Sequence, residues 1–146
     1  MIVLDDADFT TMDAFPLRAR FLAWHRGAEL TDLAPRLRPL RSGAATALTR
    51  AAEARLRTAT PAVTFRSDDA PFIVSERLRE LPIAEATPIV VWWSSESALA
   101  TEWNVFRERW GDFCYPAASD VCIWPADGAW ILCYRRYEVF QFRAGS

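Results

Sequence analysis

The clearest hydrophobic pattern in the chain is an uninterrupted apolar run at residues 89–93, Ile-Val-Val-Trp-Trp. β-Branched and aromatic residues favour extended structure, and a run without polar positions is typical of a strand covered on both faces. The sequence therefore predicts a central strand of a sheet here. With Pro88 the run reaches six residues, far below the ~18 that a membrane-spanning helix needs.

The apolar positions that follow recur at helical spacing: Leu99, Trp103, Phe106 and Trp110. Spacings of three and four residues place side chains on one face of a helix. We predict a helix that starts after a cap at Ser94 or Ser95 and runs to about residue 110. Gly111 is then placed to end it, because glycine is favoured just past a helix C-terminus.

The last third of the chain reads as a strand meander. Segments 121–125 and 129–135 flank Asp127-Gly128, a favoured pair for a two-residue type I′ turn. Such a loop places Cys122 directly opposite Cys133 in the hairpin. A third strand at 138–142 completes a β-α-β-β-β order, which predicts an α+β fold with an antiparallel or mixed sheet and helices packed on one face.

The N-terminal half is less regular. Three prolines interrupt residues 5–41, so we expect irregular structure there with one or two short helices. Residues 44–58 form a predicted helix with a narrow stripe of small and apolar side chains at Ala45, Leu48, Ala52 and Leu56. A short strand at 62–65 and a helix at 71–81, capped from Ser67-Asp68-Asp69, follow. We predict a single domain over residues 1–146, since no linker or repeat divides the chain.

Composition narrows the class of protein. All 17 basic residues are arginines, and with 19 acidic residues the net charge is −2. A general nucleic-acid binder needs a large basic surplus, so we expect no nucleic-acid partner. The N-terminus has neither a basic n-region nor a long apolar segment, which predicts no signal peptide, no membrane partner and a cytoplasmic location. Three cysteines without close paired spacing fit reduced thiols there.

Catalytic and metal-binding patterns are missing from the sequence. His25 is the only histidine, and a structural zinc site needs four closely paired ligands, so no metal or other cofactor is expected. The sequence also lacks the glycine-rich and serine motifs of common enzymes. Cys114 with His25 is the one possible nucleophile and base. Cys114 is better explained as a small buried hydrophobic residue, and we predict that the chain is not an enzyme.

Aromatic residues are concentrated in the second half, where six of the seven tryptophans lie at or after Trp92. Most of them are needed for the core, but aromatic and arginine side chains also dominate protein–protein contacts. The second hairpin turn combines both types in one loop, which makes it a candidate recognition tip. The candidate binding residues are Asp112, Tyr115, Asp120, Arg135, Arg136, Tyr137 and Glu138.

About the last 45 residues contain a recognisable set of segments: Trp103-Asn104-Val105-Phe106, Trp110-Gly111-Asp112-Phe113-Cys114-Tyr115-Pro116, Ser119-Asp120, Pro125, Trp130-Ile131-Leu132, Tyr134 and Glu138-Val139-Phe140. In these segments the chain resembles a family of short, mostly uncharacterised bacterial proteins, some of which are similar to immunity proteins found beside polymorphic or contact-delivered toxins. Relatives carry a His/Glu-rich turn where this chain has Arg-Arg-Tyr-Glu at 135–138. The resemblance therefore transfers no catalytic or metal-binding residue.

These observations leave three hypotheses. The preferred one is an immunity-type cytoplasmic protein that neutralises a cognate toxin domain by direct contact. The second is a small enzyme or ligand-binding domain, with a pocket between helix 95–110 and the sheet around Asp112, Cys114, Tyr115 and Asp120. The third is an oligomeric structural module that pairs through an edge strand at 121–125 or 138–142.

Overall fold

One antiparallel sheet draws its strands from both halves of the chain. The computed structural model describes residues 3–25, 32–58 and 63–144. The strands are β1 (Arg38–Pro39), β2 (Val63–Arg66), β3 (Pro88–Ser94), β4 (Ser97–Glu102), β5 (Val121–Pro125), β6 (Trp130–Arg135) and β7 (Val139–Ala144). Their order is β1-β4-β3-β5-β6-β7-β2, and each neighbouring pair is antiparallel. The α+β class is confirmed, and β3 lies inside the sheet as predicted.

The helix predicted over residues 95–110 is wrong in its first half. Residues 97–102 instead form β4, which turns back on β3 so that Trp92 pairs with Ala98. β4 is paired on its other side with β1. Hydrogen bonding to two strands overrides the helix preference of alanine and leucine, which is a weak local bias. Only the remainder of the prediction is helical, as two short helices at Trp103–Glu108 and Trp110–Cys114.

Helices cover both faces of the sheet, so the prediction of helices on one face is wrong. In the described part of the chain the α-helices are α1 (Ser42–Thr58), α2 (Pro71–Glu80), α3 (Trp103–Glu108) and α4 (Trp110–Cys114). α1 buries Ala45, Leu48 and Ala52 against one face, while α2, α3 and α4 cover the other. The reason is that the central strands are apolar on both sides and need a layer on each. The side chain of Leu56 lies outside the described residues.

The predicted facing positions of the first hairpin are confirmed, because Cys122 pairs with Cys133. Their buried Sγ atoms lie 3.5 Å apart, and both are free thiols. The predicted type I′ turn is wrong, since β5 and β6 are joined by residues 126–129 and only Gly128 has a positive φ there. β5 and β7 are also interior strands, so neither is the free edge that the oligomeric hypothesis requires; the edges are β1 and β2.

In the described part of the N-terminal segment, 3₁₀ helices form at Asp6–Asp8, Met12–Ala14, Arg18–His25 and Ala34–Arg36. Phe15 and Phe21 are fully buried, and their rings pack against Trp93 at centroid distances of 5.7 and 6.3 Å. Arg20 donates to the carbonyl oxygens of Phe113 and Tyr115, at 2.9 and 3.1 Å. The N-terminal segment is thus attached to the rest of the fold by the buried rings of Phe15 and Phe21 and by the guanidinium of Arg20. Within the described residues, no helix combines the length and apolar character needed to cross a bilayer.

Candidate functional site

Six of the predicted binding residues meet at one end of the sheet. Arg135 ends β6, Glu138 precedes β7, and Asp120 precedes β5, so the β-meander brings their backbones together. Tyr115 follows α4 and reaches the same place from the helical layer. The other two residues, Arg136 and Tyr137, lie in the turn itself. We refer to residues 135–138, the connection between β6 and β7, as the 135–138 turn.

Glu138 holds an unusual backbone conformation in this turn. Its N–H donates to the carbonyl of Arg135 at 2.8 Å, and its φ is 69°. Gly128 has the same position and the same φ in the other hairpin, where its N–H donates to Pro125 at 3.0 Å. Glycine adopts this left-handed region freely, whereas another L-residue loses about 1–2 kcal/mol. Strain of this sort persists only where neighbouring contacts fix the conformation.

Contacts on both sides of Glu138 supply that constraint. The Tyr115 hydroxyl donates to the Glu138 carboxylate at 2.7 Å, and the Ser67 N–H donates to the Glu138 carbonyl at 2.9 Å. The Ser67 hydroxyl donates to Tyr134 at 3.2 Å and lies 3.0 Å from the Tyr115 hydroxyl. Burial raises the pKa of Tyr115, and burial also raises the pKa of Tyr134. These phenols therefore stay neutral at physiological pH and act as fixed hydrogen-bonding groups.

Asp120 braces the other side of the turn. One carboxylate oxygen accepts from the Arg136 backbone N–H at 2.8 Å, and the other lies 3.2 Å from Arg135 Nη1. Arg135 also donates to Gln141 on β7 at 2.9 Å. The turn is thus held by hydrogen bonds from three neighbouring segments, through Ser67, Tyr115 and Asp120.

The outer surface of the turn carries side chains suited to a contact. Arg136 is exposed, and Tyr137 is 61% exposed, an unusual fraction for a large ring. Beside the turn, Arg66 and Asp68 form a two-point ion pair with both distances at 2.8 Å. The arrangement offers one aromatic ring and guanidinium donors on a rigid backbone.

The structure places the remaining candidates elsewhere. Asp112 lies in α4, and its carboxylate is 3.0 Å from the guanidinium of Arg109. Cys114 is buried in the core, and burial raises the pKa of its thiol, which is unfavourable for a nucleophile. The side chain of His25 lies outside the described residues. A pocket was predicted around Asp112, Cys114, Tyr115 and Asp120. None of these four residues lines the three cavities found among the described residues.

Sequence reasoning missed Ser67 and Tyr134. Ser67 was predicted as a helix cap, but α2 starts after Ala70 and has no side-chain cap. Its hydroxyl is instead turned into the sheet, because β2 pairs with β7 and ends beside the turn. Tyr134 could have been found from the pleat, since it faces Phe140 across the ladder. No sequence signal connects Ser67 to residues so far along the chain.

Among the residues that the structure describes, no group of three or more His, Cys, Asp or Glu side chains could hold a metal ion. Comparison of the chain with known protein families, with curated proteins and with solved structures finds no match in any of the three.

Proposed function

We propose that the protein is a non-catalytic binding protein of immunity type, which neutralises a toxin domain by direct contact through the 135–138 turn. One observation carries this proposal. A strained residue, Glu138, is locked by side-chain contacts so that Arg136 and Tyr137 project from a rigid backbone. Strain maintained at a surface turn is typical of functional segments.

The chemistry of the turn fits recognition of a protein. Tyrosine and arginine are the residue types most enriched among those that dominate binding energy. A rigid turn loses little conformational entropy on binding, because its backbone is already ordered by Asp120 and Tyr115. The resemblance of the last third of the chain to immunity-like proteins supports the same kind of partner.

The test takes its candidate partner from the gene next to the one that encodes this chain. The C-terminal domain of that neighbouring protein is expressed alone, and together with this chain, while growth is measured. We expect growth arrest by the domain alone, rescue by this chain and a sub-micromolar Kd in calorimetry. The double variant Arg136→Ala/Tyr137→Ala should weaken binding by about 100-fold, since interface anchors contribute roughly 2–4 kcal/mol.

A matched control removes another exposed ring. Phe72 on α2 is 67% exposed, so Phe72→Ala should leave both rescue and Kd unchanged. Rescue by the double variant at the level of the parent protein would place the contact elsewhere. A neighbouring domain that is not toxic, or that does not bind, would argue against the immunity role itself.

A further inference from the structure

A second site lies at the opposite end of the central strands from the 135–138 turn. It is a cavity of about 320 Å³ at the start of β3, the end of β4 and the residue after β5. Ligand sites in proteins occupy roughly 300–1,000 Å³, so the cavity matches a small molecule. Its lining residues include Leu4, Pro88, Val90, Ala100 and Ala126, which give it apolar walls.

Two guanidinium groups line the same cavity. Arg36 lies 3.9 Å from the Glu102 carboxylate, and Arg38 lies 4.0 Å from Asp6. Both distances exceed hydrogen-bond length, and the Asp6 side chain is fully exposed, so these are weak ion pairs. Arg38 is nevertheless held in position, because its guanidinium stacks 3.8 Å from the ring centroid of Phe9. The N–H groups of Arg38 are therefore available to donate hydrogen bonds to an anion in the cavity.

We propose that this cavity binds a small amphipathic carboxylate. The apolar body of the ligand packs on Val90 and Ala100, and its carboxylate binds the Arg38 guanidinium, with Arg36 contributing positive charge. Arginine is suited to this role because its fork of N–H groups matches the two oxygens of a carboxylate. Glu102 and Asp6 are the acidic groups nearby, and each forms only a weak ion pair with an arginine, Arg36 and Arg38 respectively. Binding therefore requires no buried ion pair to break.

Two probes distinguish a chain-like from an aromatic ligand: decanoate, kept below its self-association concentration, and 2-naphthoate. Each is titrated into the full-length protein by calorimetry, and amide shifts are followed by ¹⁵N NMR. We expect saturable one-to-one binding of at least one probe, with the largest amide shifts at residues 88–90 and 100–102. Decanol lacks the charge and should bind at least ~10-fold more weakly than decanoate.

Variants test the two parts of the site separately. Arg38→Gln should weaken carboxylate binding by about 10-fold, and Ala100→Leu should abolish binding by filling the cavity. Arg50→Gln removes an exposed charge on α1 outside the cavity and should change nothing. Absence of saturable binding by both probes overturns the proposal, as does decanol binding equal to decanoate. If Ala100→Leu fails to fold, Arg38→Gln decides, because unchanged affinity in that variant also overturns it.

Discussion

Hydroxyl groups of single residues organise the polar end of the sheet. Tyr134 is fully buried and accepts from Ser67, while Tyr115 links the same serine to the Glu138 carboxylate. Because burial raises the pKa of both phenols, the folded protein keeps protons that the unfolded chain releases above about pH 10. The chain contains no lysine, so phenols and thiols dominate titration in that range.

Stability should therefore fall as pH rises above about 10, where the unfolded state binds fewer protons than the folded state. Tyr134→Phe should make this fall shallower, and at pH 7 it should lower the free energy of unfolding by about 1 kcal/mol through the lost hydrogen bond. Urea unfolding between about pH 8 and 11 measures both effects. Tyr137→Phe, at an exposed ring, is the control and should leave the profile unchanged. Identical pH profiles for Tyr134→Phe and the parent would contradict this assignment.

At the scale of elements, α1 illustrates how small side chains set a packing distance. Ala45 and Ala52 are fully buried between this helix and the sheet, where the side chains beneath include Cys122 and Cys133. Alanine at these positions lets the helix approach closely, and close-packed interiors do not absorb extra methylene groups without strain. The narrow stripe in the sequence is thus explained by contact with a large, ring-bearing sheet face.

Two substitutions one residue apart test this packing. Ala52→Leu should lower the free energy of unfolding by about 1–3 kcal/mol, because the added carbons must displace the sheet side chains. Ala51→Leu adds the same carbons at an exposed position and should change stability by less than ~0.5 kcal/mol. Urea unfolding curves compare the two variants directly. Equal effects of the two substitutions would show that α1 does not pack as described.

On the scale of the whole molecule, the sheet pairs strands that lie far apart in the sequence. β2 pairs with β7, and β1 pairs with β4, so both edges are strands from the first half resting on strands from the second. Neither half can complete the sheet without the other. A molecule connected in this way is expected to unfold in one cooperative step.

Two spectroscopic probes report on different parts of the chain. Helical ellipticity at 222 nm follows α1 together with the other helices, whereas tryptophan fluorescence follows the second half, where six of seven tryptophans lie. We expect coincident urea transitions, and Ala52→Leu should move both midpoints by the same amount. Separate midpoints, or a shift confined to the ellipticity, would contradict a single folding unit.

The local elements that could be predicted share a physical basis. Residues 89–93, the two C-terminal hairpins and α1 follow from periodicity, proline positions and β-branched content, all of which act over a few neighbouring residues. The α+β class and the Cys122–Cys133 register followed from them. The composition of the 135–138 turn, where polar and aromatic residues coincide without a turn-forming pair, also makes it a candidate recognition tip, and that role stays a prediction.

Tertiary structure alone decided the rest. Residues 97–102 became a strand because β3 and β1 offer hydrogen bonds on both sides, and the local preference of the sequence is weaker than that pairing. Ser67 became a partner of Tyr134 because β2 lies at the sheet edge beside β7. The cavity near Arg38 likewise joins segments far apart in the chain. Sequence periodicity reports which face of an element is buried, but not which distant element covers it, because that choice depends on contacts that form only in the assembled fold.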